Sequence, residues 1–281
     1  MGRYHRPDNL KDAIEALANQ DVTIAAGCTD LFAETGLPAL EGDVLDITNV
    51  AELRGVTRKD GWWRIGATTS WSQIAQAALP ESFAMLQEAA RQVGGPQIQG
   101  RGTIGGNLCT ASPAADGVPP LLSLDAQVEV ASGEVLRRLP LQEFLAGPRQ
   151  TALRQDEMLT AVLVPEGPAL GQSVFLKLGS RAHLVISVVM VAARLSCEAG
   201  RVTHAAVSVG ACGPVAVRLR DLEAALVGAQ LSDVPALVAL HMPGVLNPID
   251  DMRGSADYRR HAAQELVNRA ASQLMEVAED A

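Results

Sequence analysis

Seven glycines lie between Gly94 and Gly117 in the stretch GGPQIQGRGTIGGNLCTASPAADG, interleaved with the short side-chain oxygens of Thr103, Asn107, Thr110, Ser112 and Asp116. Glycine lets a backbone approach closely and adopt positive φ, and successive amides form an anion-binding nest, so such a segment can wrap a phosphate and a sugar. The same composition suits a glycine-rich surface loop, and the residues by themselves leave both readings open. Gly100, Gly102 and Gly105 also have the G-x-G-x-x-G spacing of a dinucleotide fingerprint, with Asp125 twenty residues after Gly105. That motif must leave a buried strand and open a helix. Here Gly94, Gly95 and Pro96 interrupt any strand before it, and Pro113, Pro119 and Pro120 follow, so the match reads as an accident of glycine density.

A second candidate anion turn stands near the N-terminus. AAGCTDLFAE passes from a strand through Gly27 to Thr29 and Asp30, good N-cap residues for a following helical turn, where backbone amides are bare. Other chemistries lack their residues. Cys28, Cys109, Cys197 and Cys212 are scattered with no C-x-x-C, which disfavours a disulfide framework, a metal site or an iron–sulfur site in this chain. No G-x-S-x-G, H-E-x-x-H or P-loop pattern occurs.

The chain has 281 residues, 48% of them hydrophobic and 20% charged, enough for one large core or two ordinary ones. A net charge of -9 with no basic stripe argues against nucleic acid. The longest apolar run, Leu184 to Leu195, is broken by Ser187 and Arg194 and is too short to span a bilayer, so it reads as a buried strand. The start, MGRYHRPDNLKDAIE, has no apolar signal core, and a cytoplasmic protein is expected.

The elements that must position these turns follow from periodicity. Asp8 or Asn9 caps a helix carrying Leu10, Ile14 and Leu17, then VTIAAG and DVLDITNV read as strands, giving a small α/β unit up to about residue 55. A strand from Trp62 to Ile65 precedes Ser70 and Gln73, a capping box, and Phe83, Leu86, Ala90 and Val93 continue a helical stripe. AQVEV and EMLTAVLVP are strands. After the PEGPALGQS loop, VFLKLG, LVISVVMVAARL and RVTHAAVSVG read as three strands, the last two joined by CEAG. Helices follow around Leu219–Leu226, Val234–Leu240 and Ala262–Met275. Adjacent Trp62 and Trp63 point to opposite faces, so packing accounts for them and for Trp71 better than cofactor stacking. Structural roles are expected for His183 and His204. Lys177 and Arg181 read as alternating on one strand face.

Three motifs in order, AAGCTDL, TIGGNLCTASPAAD and FLKLGSRAHLVISVV, resemble the FAD-binding medium subunit of the molybdenum hydroxylases, the xanthine dehydrogenase and carbon monoxide dehydrogenase group. The middle motif is the specific one, and the resemblance covers essentially the whole chain. It implies an α+β fold: an FAD-binding domain over residues 1–171, with a small α/β lobe (about 1–55) and a larger mixed lobe (56–171). A C-terminal domain follows, residues 172–281, with a three-stranded antiparallel sheet and helices. It implies that Ile24, Ala25, Ala26, Gly27, Cys28, Thr29, Asp30 and Leu31 form the turn holding the FAD pyrophosphate. Thr103, Ile104, Gly105, Gly106 and Asn107 would form a second phosphate and ribityl cradle, continued by Thr110, Ser112 and Asp116. Leu159 and Lys177 match positions touching the adenine or flavin end, and Val93 one beside the isoalloxazine ring.

The implied function is electron transfer. FAD in this chain collects electrons from a [2Fe-2S] small subunit, fed by a molybdopterin large subunit that holds the molybdenum cofactor, and delivers them to an external acceptor. The implied assembly is a duplicated hetero-oligomer, and no side chain here need be catalytic. A self-contained flavin oxidase or reductase and a nonenzymatic nucleotide-binding scaffold are the alternatives. One departure stands out: the first turn in such subunits commonly reads A-G-G-T-D-L, and here Cys28 replaces the second glycine. Positive φ there would cost about 1 kcal/mol. A redox role for Cys28 is the alternative to a purely backbone one.

Overall fold

The computed structural model describes residues 2–19, 21–35, 40–167, 171–182 and 184–279. The N-terminal lobe runs β1 (Tyr4–His5), α1 (Leu10–Asn19), β2 (Val22–Ala25), α2 (Leu31–Thr35) and β3 (Asp43–Asp46), with the strands parallel in the order β1-β3-β2. Asn9 is the cap of α1: its Oδ1 accepts from the Asp12 amide at 2.9 Å. The helix lays Ala13 and Leu17 on Leu45 and Ile47, closing a small separate core. The two-residue β1 has too little pattern to be read from sequence.

The second lobe opens with the hairpin β4 (Val56–Lys59) and β5 (Trp62–Gly66), turned at Asp60 and Gly61, both at positive φ. Ser70 then starts α3 (Trp71–Gln76) with the expected capping box. Its Oγ accepts from the Gln73 amide at 3.3 Å, and the Gln73 side chain accepts from the Ser70 amide at 2.9 Å. The helix α4 (Ala84–Gln92) buries Leu86, Ala89 and Ala90. The glycine-rich segment is not one irregular loop. It folds into α5 (Pro96–Arg101) and α6 (Ile104–Thr110) and leads into α7 (Val118–Ser123). Low glycine helix propensity is overridden by local fit: Pro96 opens α5, and Thr103 Oγ1 caps α6 by accepting from the Gly106 amide at 3.1 Å.

After α7 come β6 (Gln127–Ser132), β7 (Val135–Pro140), α8 (Leu141–Phe144), the short pair β8 (Leu145–Gly147) and β9 (Gln150–Thr151), and β10 (Met158–Pro165). Five of these strands make one antiparallel sheet in the order β4-β5-β10-β6-β7. Trp63 meets Phe83 edge-on at 5.8 Å and Trp71 is fully buried.

The remaining strands, β11 (Gln172–Leu178), β12 (Val189–Glu198), β13 (Arg201–Gly210) and the added two-residue β14 (Val217–Arg218), pair antiparallel in sequence order. The apolar run starting at Leu184 becomes strand only at Val189, because Leu184 itself takes φ +53°. On one sheet face Val191, Ala193, Leu195, Val207 and Val209 pack on α9 (Arg220–Leu226), α10 (Val234–His241) and α11 (Ala256–Glu279). The other face meets α7: Ser123 Oγ donates to the Ala192 carbonyl at 3.1 Å and lies 2.8 Å from Ser208 Oγ. Among the described residues, no helix is long and apolar enough to cross a membrane.

An ion pair at the rim of the five-stranded sheet sets an acid limit on this fold. Arg137 forks onto Glu157 at 2.6 and 2.7 Å, and the Arg154 amide adds a third bond at 2.9 Å. The Arg137 hydrogen bonds lead in holding the Glu157 carboxyl down to about 2. Because the folded value is depressed, the stabilisation is present above the usual carboxylate range and lost as pH falls through about 2. Glu157→Gln is therefore expected to lower the thermal midpoint at neutral pH, with the gap to wild type closing under strong acid. A gap that stays constant across an acid titration would contradict this.

Candidate functional site

The turn that leaves β2 lies directly against the junction of α5 and α6. A Cβ on Gly27 would stand 2.2 Å from the Arg101 carbonyl oxygen, so only glycine permits the contact. Cys28 follows at φ 59°, in the left-handed region, with its thiol 3.5 Å from the Ala26 carbonyl. Burial, then the nearby Asp46 carboxylate, push that thiol above its usual range. Cys28 is thus protonated at neutral pH, which favours the backbone role over the redox one. Farther along, Thr110 Oγ1 donates to Asp30 Oδ2 at 3.2 Å, fastening the turn to α6. Among the described residues, none accepts a hydrogen bond from the backbone amides of Ala26, Gly27, Cys28, Thr29 or Asp30. Open amides on a turn with positive φ make an anion nest.

The α6 end works differently. Its amides are committed within the protein: Ile104 to Thr69 O at 3.0 Å, Gly105 to Ala67 O at 2.9 Å, Gly106 to Thr103 Oγ1 at 3.1 Å and Asn107 to Thr103 O at 3.0 Å. What this segment offers is shape and side chains. A Cβ on Gly105 would meet Ala67 O at 2.7 Å, so that glycine is needed for packing. A Cβ on Gly106 would meet only Thr103 Oγ1, at 2.9 Å, and otherwise faces open space. The Asn107 side-chain Oδ1 is buried with no hydrogen-bond partner among the described residues.

These pieces surround one cleft of about 450 Å³, within the range of small-molecule sites. Of the residues expected from sequence, Ile24, Ala26, Gly27, Cys28, Thr29, Asp30, Leu31, Val93, Thr103, Gly105, Gly106, Asn107, Thr110 and Leu159 line it. Ala25 is a buried strand residue whose carbonyl accepts from Ile47, and Ile104 is fully buried core. The hydroxyl of Ser112 accepts from the Ala114 amide at 3.2 Å.

Asp116 and Lys177 lie outside the lining as a buried ion pair at 2.6 Å. Lys177 also donates to the Gln92 carbonyl at 3.3 Å, and Ser187 Oγ donates to Asp116 Oδ1 at 2.6 Å. Burial raises the Asp116 carboxyl while Lys177 and Ser187 oppose it. This pair reaches the cleft through Gln92, the neighbour of Val93. Arg181 does not share a strand face with Lys177: β11 ends at Leu178, and Arg181 turns back to the Leu184 carbonyl. His183 lies outside the described residues.

Sequence reasoning missed Ile47, Ala67, Trp71, Ile98, Gly102, Cys109, Leu153 and Met158, which also line the cleft. Trp71 and Met158 adjoin elements already recognised. Leu153 carries no signal of its own. Cys28, Cys109 and Cys212 form no disulfide, and among the described residues no group of His, Cys, Asp and Glu is placed to hold a metal.

Five amides without internal acceptors among the described residues, an unpartnered carboxamide oxygen and a bare glycine face beside apolar walls fit an extended, diphosphate-bridged dinucleotide, the ligand class of nucleotide-cofactor proteins. The comparisons make that class specific. Residues 1–167 match the FAD binding domain in molybdopterin dehydrogenase, and residues 175–274 match the CO dehydrogenase flavoprotein C-terminal domain. The chain is 31% identical over 286 residues to a xanthine dehydrogenase FAD-binding subunit of Escherichia coli O157:H7, covering 98% of this chain and 96% of the relative. It is 36% identical over 240 residues to the nicotinate dehydrogenase FAD-subunit of Eubacterium barkeri, covering 82% and 80%. Among solved structures it is similar to carbon monoxide dehydrogenase from Hydrogenophaga pseudoflava, with a TM-score of 0.89 at 26% identity and coverage of 97% and 96%. The chain belongs to the family of FAD-binding medium subunits of the xanthine dehydrogenase and carbon monoxide dehydrogenase type. It is the flavoprotein component of an oxidoreductase, and FAD is the cofactor of this chain.

The two turn residues should respond in opposite directions. Cys28→Gly relieves the left-handed strain and is expected to leave FAD affinity intact while raising stability by up to about 1 kcal/mol. Gly27→Ala forces the turn off Arg101 and is expected to lower FAD affinity at least tenfold, about 1.4 kcal/mol. Flavin titration and thermal unfolding of both variants check this, and equal behaviour would contradict it.

Proposed function

We propose that the chain binds one FAD noncovalently in this cleft and serves as the electron outlet of a molybdenum hydroxylase complex. The turn Ala26–Asp30, whose amides have no acceptor among the described residues, is the observation that carries the reading, because a diphosphate is a ligand that can accept from several N–H groups of one turn at once. Around it, Thr103, Gly106 and Asn107 would hold the sugar-phosphate and ribityl portion, and Val93 and Leu159 would bound the ring ends. Asp116 and Lys177 would act on the cofactor indirectly, by fixing the Gln92–Val93 segment, and Ser112 by shaping the loop between α6 and α7. When bound, FAD supplies the redox chemistry, accepting electrons singly or in pairs. The protein's part is to orient it, shield it from water and set its potential.

The donor is proposed to be a [2Fe-2S] subunit, itself fed by a molybdopterin subunit. The wide separation of the four cysteines in the sequence agrees with placing the iron–sulfur centre on another chain. The relatives are subunits of multi-subunit enzymes, among them a carbon monoxide dehydrogenase medium chain and a 6-hydroxypseudooxynicotine dehydrogenase complex subunit, so heteromeric assembly is shared by the group. For this chain we further propose a duplicated hetero-oligomer, cytoplasmic location, and a domain division at residues 171 and 172, in the loop before β11.

Acid precipitation of the purified yellow protein is expected to release the flavin into the supernatant; a pellet that stays yellow would point instead to a covalent, self-contained oxidase. Gly106→Val, which adds bulk on the open glycine face, is expected to weaken FAD binding at least tenfold, about 1.4 kcal/mol, with the C-terminal domain still folded. Co-expression with the two partner chains should yield one peak on size exclusion. Persistent separation of the three, or substrate oxidation by this chain alone, would overturn the electron-outlet reading.

A further inference from the structure

The face of the C-terminal sheet that meets α7 ends in buried polar atoms that have no hydrogen-bond partner among the described residues. Arg194 on β12 is 1% exposed, yet among the described residues its Nε and Nη2 donate no hydrogen bond. The nearest carboxylate oxygen, Asp125 Oδ2, stands 3.7 Å from Nη2, beyond hydrogen-bond length. On the neighbouring strand, His204 has a buried Nδ1 without a partner, and Ser196, opposite His204 in the register, has a buried Oγ in the same condition. Opposite and diagonal residues of an antiparallel pair share one face, with Cβ atoms about 5–8 Å apart, so these groups converge. Ala206, opposite Arg194, contributes only a methyl group between them.

Nearby carboxylates relieve Arg194 only in part. Arg218 forks onto Glu223 at 2.5 and 2.8 Å and donates to Asp125 Oδ1 at 2.9 Å, while Arg220 takes that same oxygen at 3.2 Å. Three guanidinium groups share two carboxylates, and the most deeply buried one has the weakest contact. A buried cation without a hydrogen-bonded counter-charge is strongly disfavoured, and a bound water or ion is one of the standard explanations of buried unsatisfied groups. Water would fill the hydrogen bonds and leave the charge. An anion answers both.

We propose that a small monovalent inorganic anion of halide size binds between β12, β13 and the Asp125 end of α7, accepting from Arg194, His204 and Ser196. It sits where the C-terminal sheet docks on the FAD-binding domain, so its occupancy stabilises that docking through mass action. The site is separate from the FAD cleft and shares no residue with it.

The direct test is a bromide-soaked crystal of the full FAD-loaded chain, with anomalous scattering to locate the ion. A bromide peak in hydrogen-bonding contact with Arg194 and His204 is the expected result. In solution, the wild-type thermal midpoint should rise when chloride replaces a bulky sulfonate at constant ionic strength, and Arg194→Met should abolish that rise. His204→Leu, which keeps the guanidinium, should move the half-effective chloride concentration upward several-fold and serves if Arg194→Met does not fold. No bromide peak, a midpoint indifferent to halide in the wild type, or Arg194 bonded only to water or to a partner subunit's carboxylate would overturn the proposal.

Discussion

The cleft depends on one contact, the seating of the Gly27 backbone on the Arg101 carbonyl. With no side chain at Gly27, the turn after β2 approaches the α5–α6 junction closely enough that the two become walls of one site. The chain then has to reverse sharply, which puts Cys28 into the left-handed region and turns the following amides away from internal acceptors. Cys28 carries left-handed strain, and its neighbours' amides have no acceptor among the described residues. On the proposed reading, a diphosphate bound there would offset both and stabilise the turn.

The two glycine motifs divide the work by where their hydrogen bonds go. Amides in the first turn are free, whereas those opening α6 are spent on Thr69, Ala67 and Thr103, making α6 a rigid part of the second lobe. Rigid α6 presents Gly106 and Asn107 to the cleft and anchors Asp30 through Thr110. Lys177 extends this order into the C-terminal domain. Its ammonium ties Asp116 and the Gln92 carbonyl together, so the segment ending in Val93 is held by a strand of the neighbouring domain. Breaking one partner of such a buried pair leaves an uncompensated charge, which makes the coupling between domains strong.

Much of this was legible in the sequence wherever pattern and period agreed. The capping box at Ser70 and Gln73, a helix cap at Asp8 or Asn9, the alternating strand β6 and the apolar strands β11 and β13 are all read from local pattern, and the structure chooses Asn9 as the cap. The irregular reading of residues 94–117 failed because glycine propensity was weighed without the packing that overrides it at Gly105. Extending the last long apolar run back to Leu184 failed for the opposite reason, since hydrophobicity alone does not register a residue at positive φ. For the site, the two turns announced themselves through glycine spacing, and their convergence came only from the family resemblance. Leu153, Ile47 and Ala67 reach the cleft through tertiary packing and carry no mark in the sequence. The orphaned Arg194 was likewise invisible, appearing only as an interruption in an apolar strand.

A crystal structure of the chain with FAD bound tests the central claim most directly. Diphosphate oxygens accepting hydrogen bonds from the amides between Ala26 and Asp30, with Gly27 still seated on Arg101, are the predicted result. FAD found with its diphosphate held elsewhere, and those amides facing water, would contradict the account.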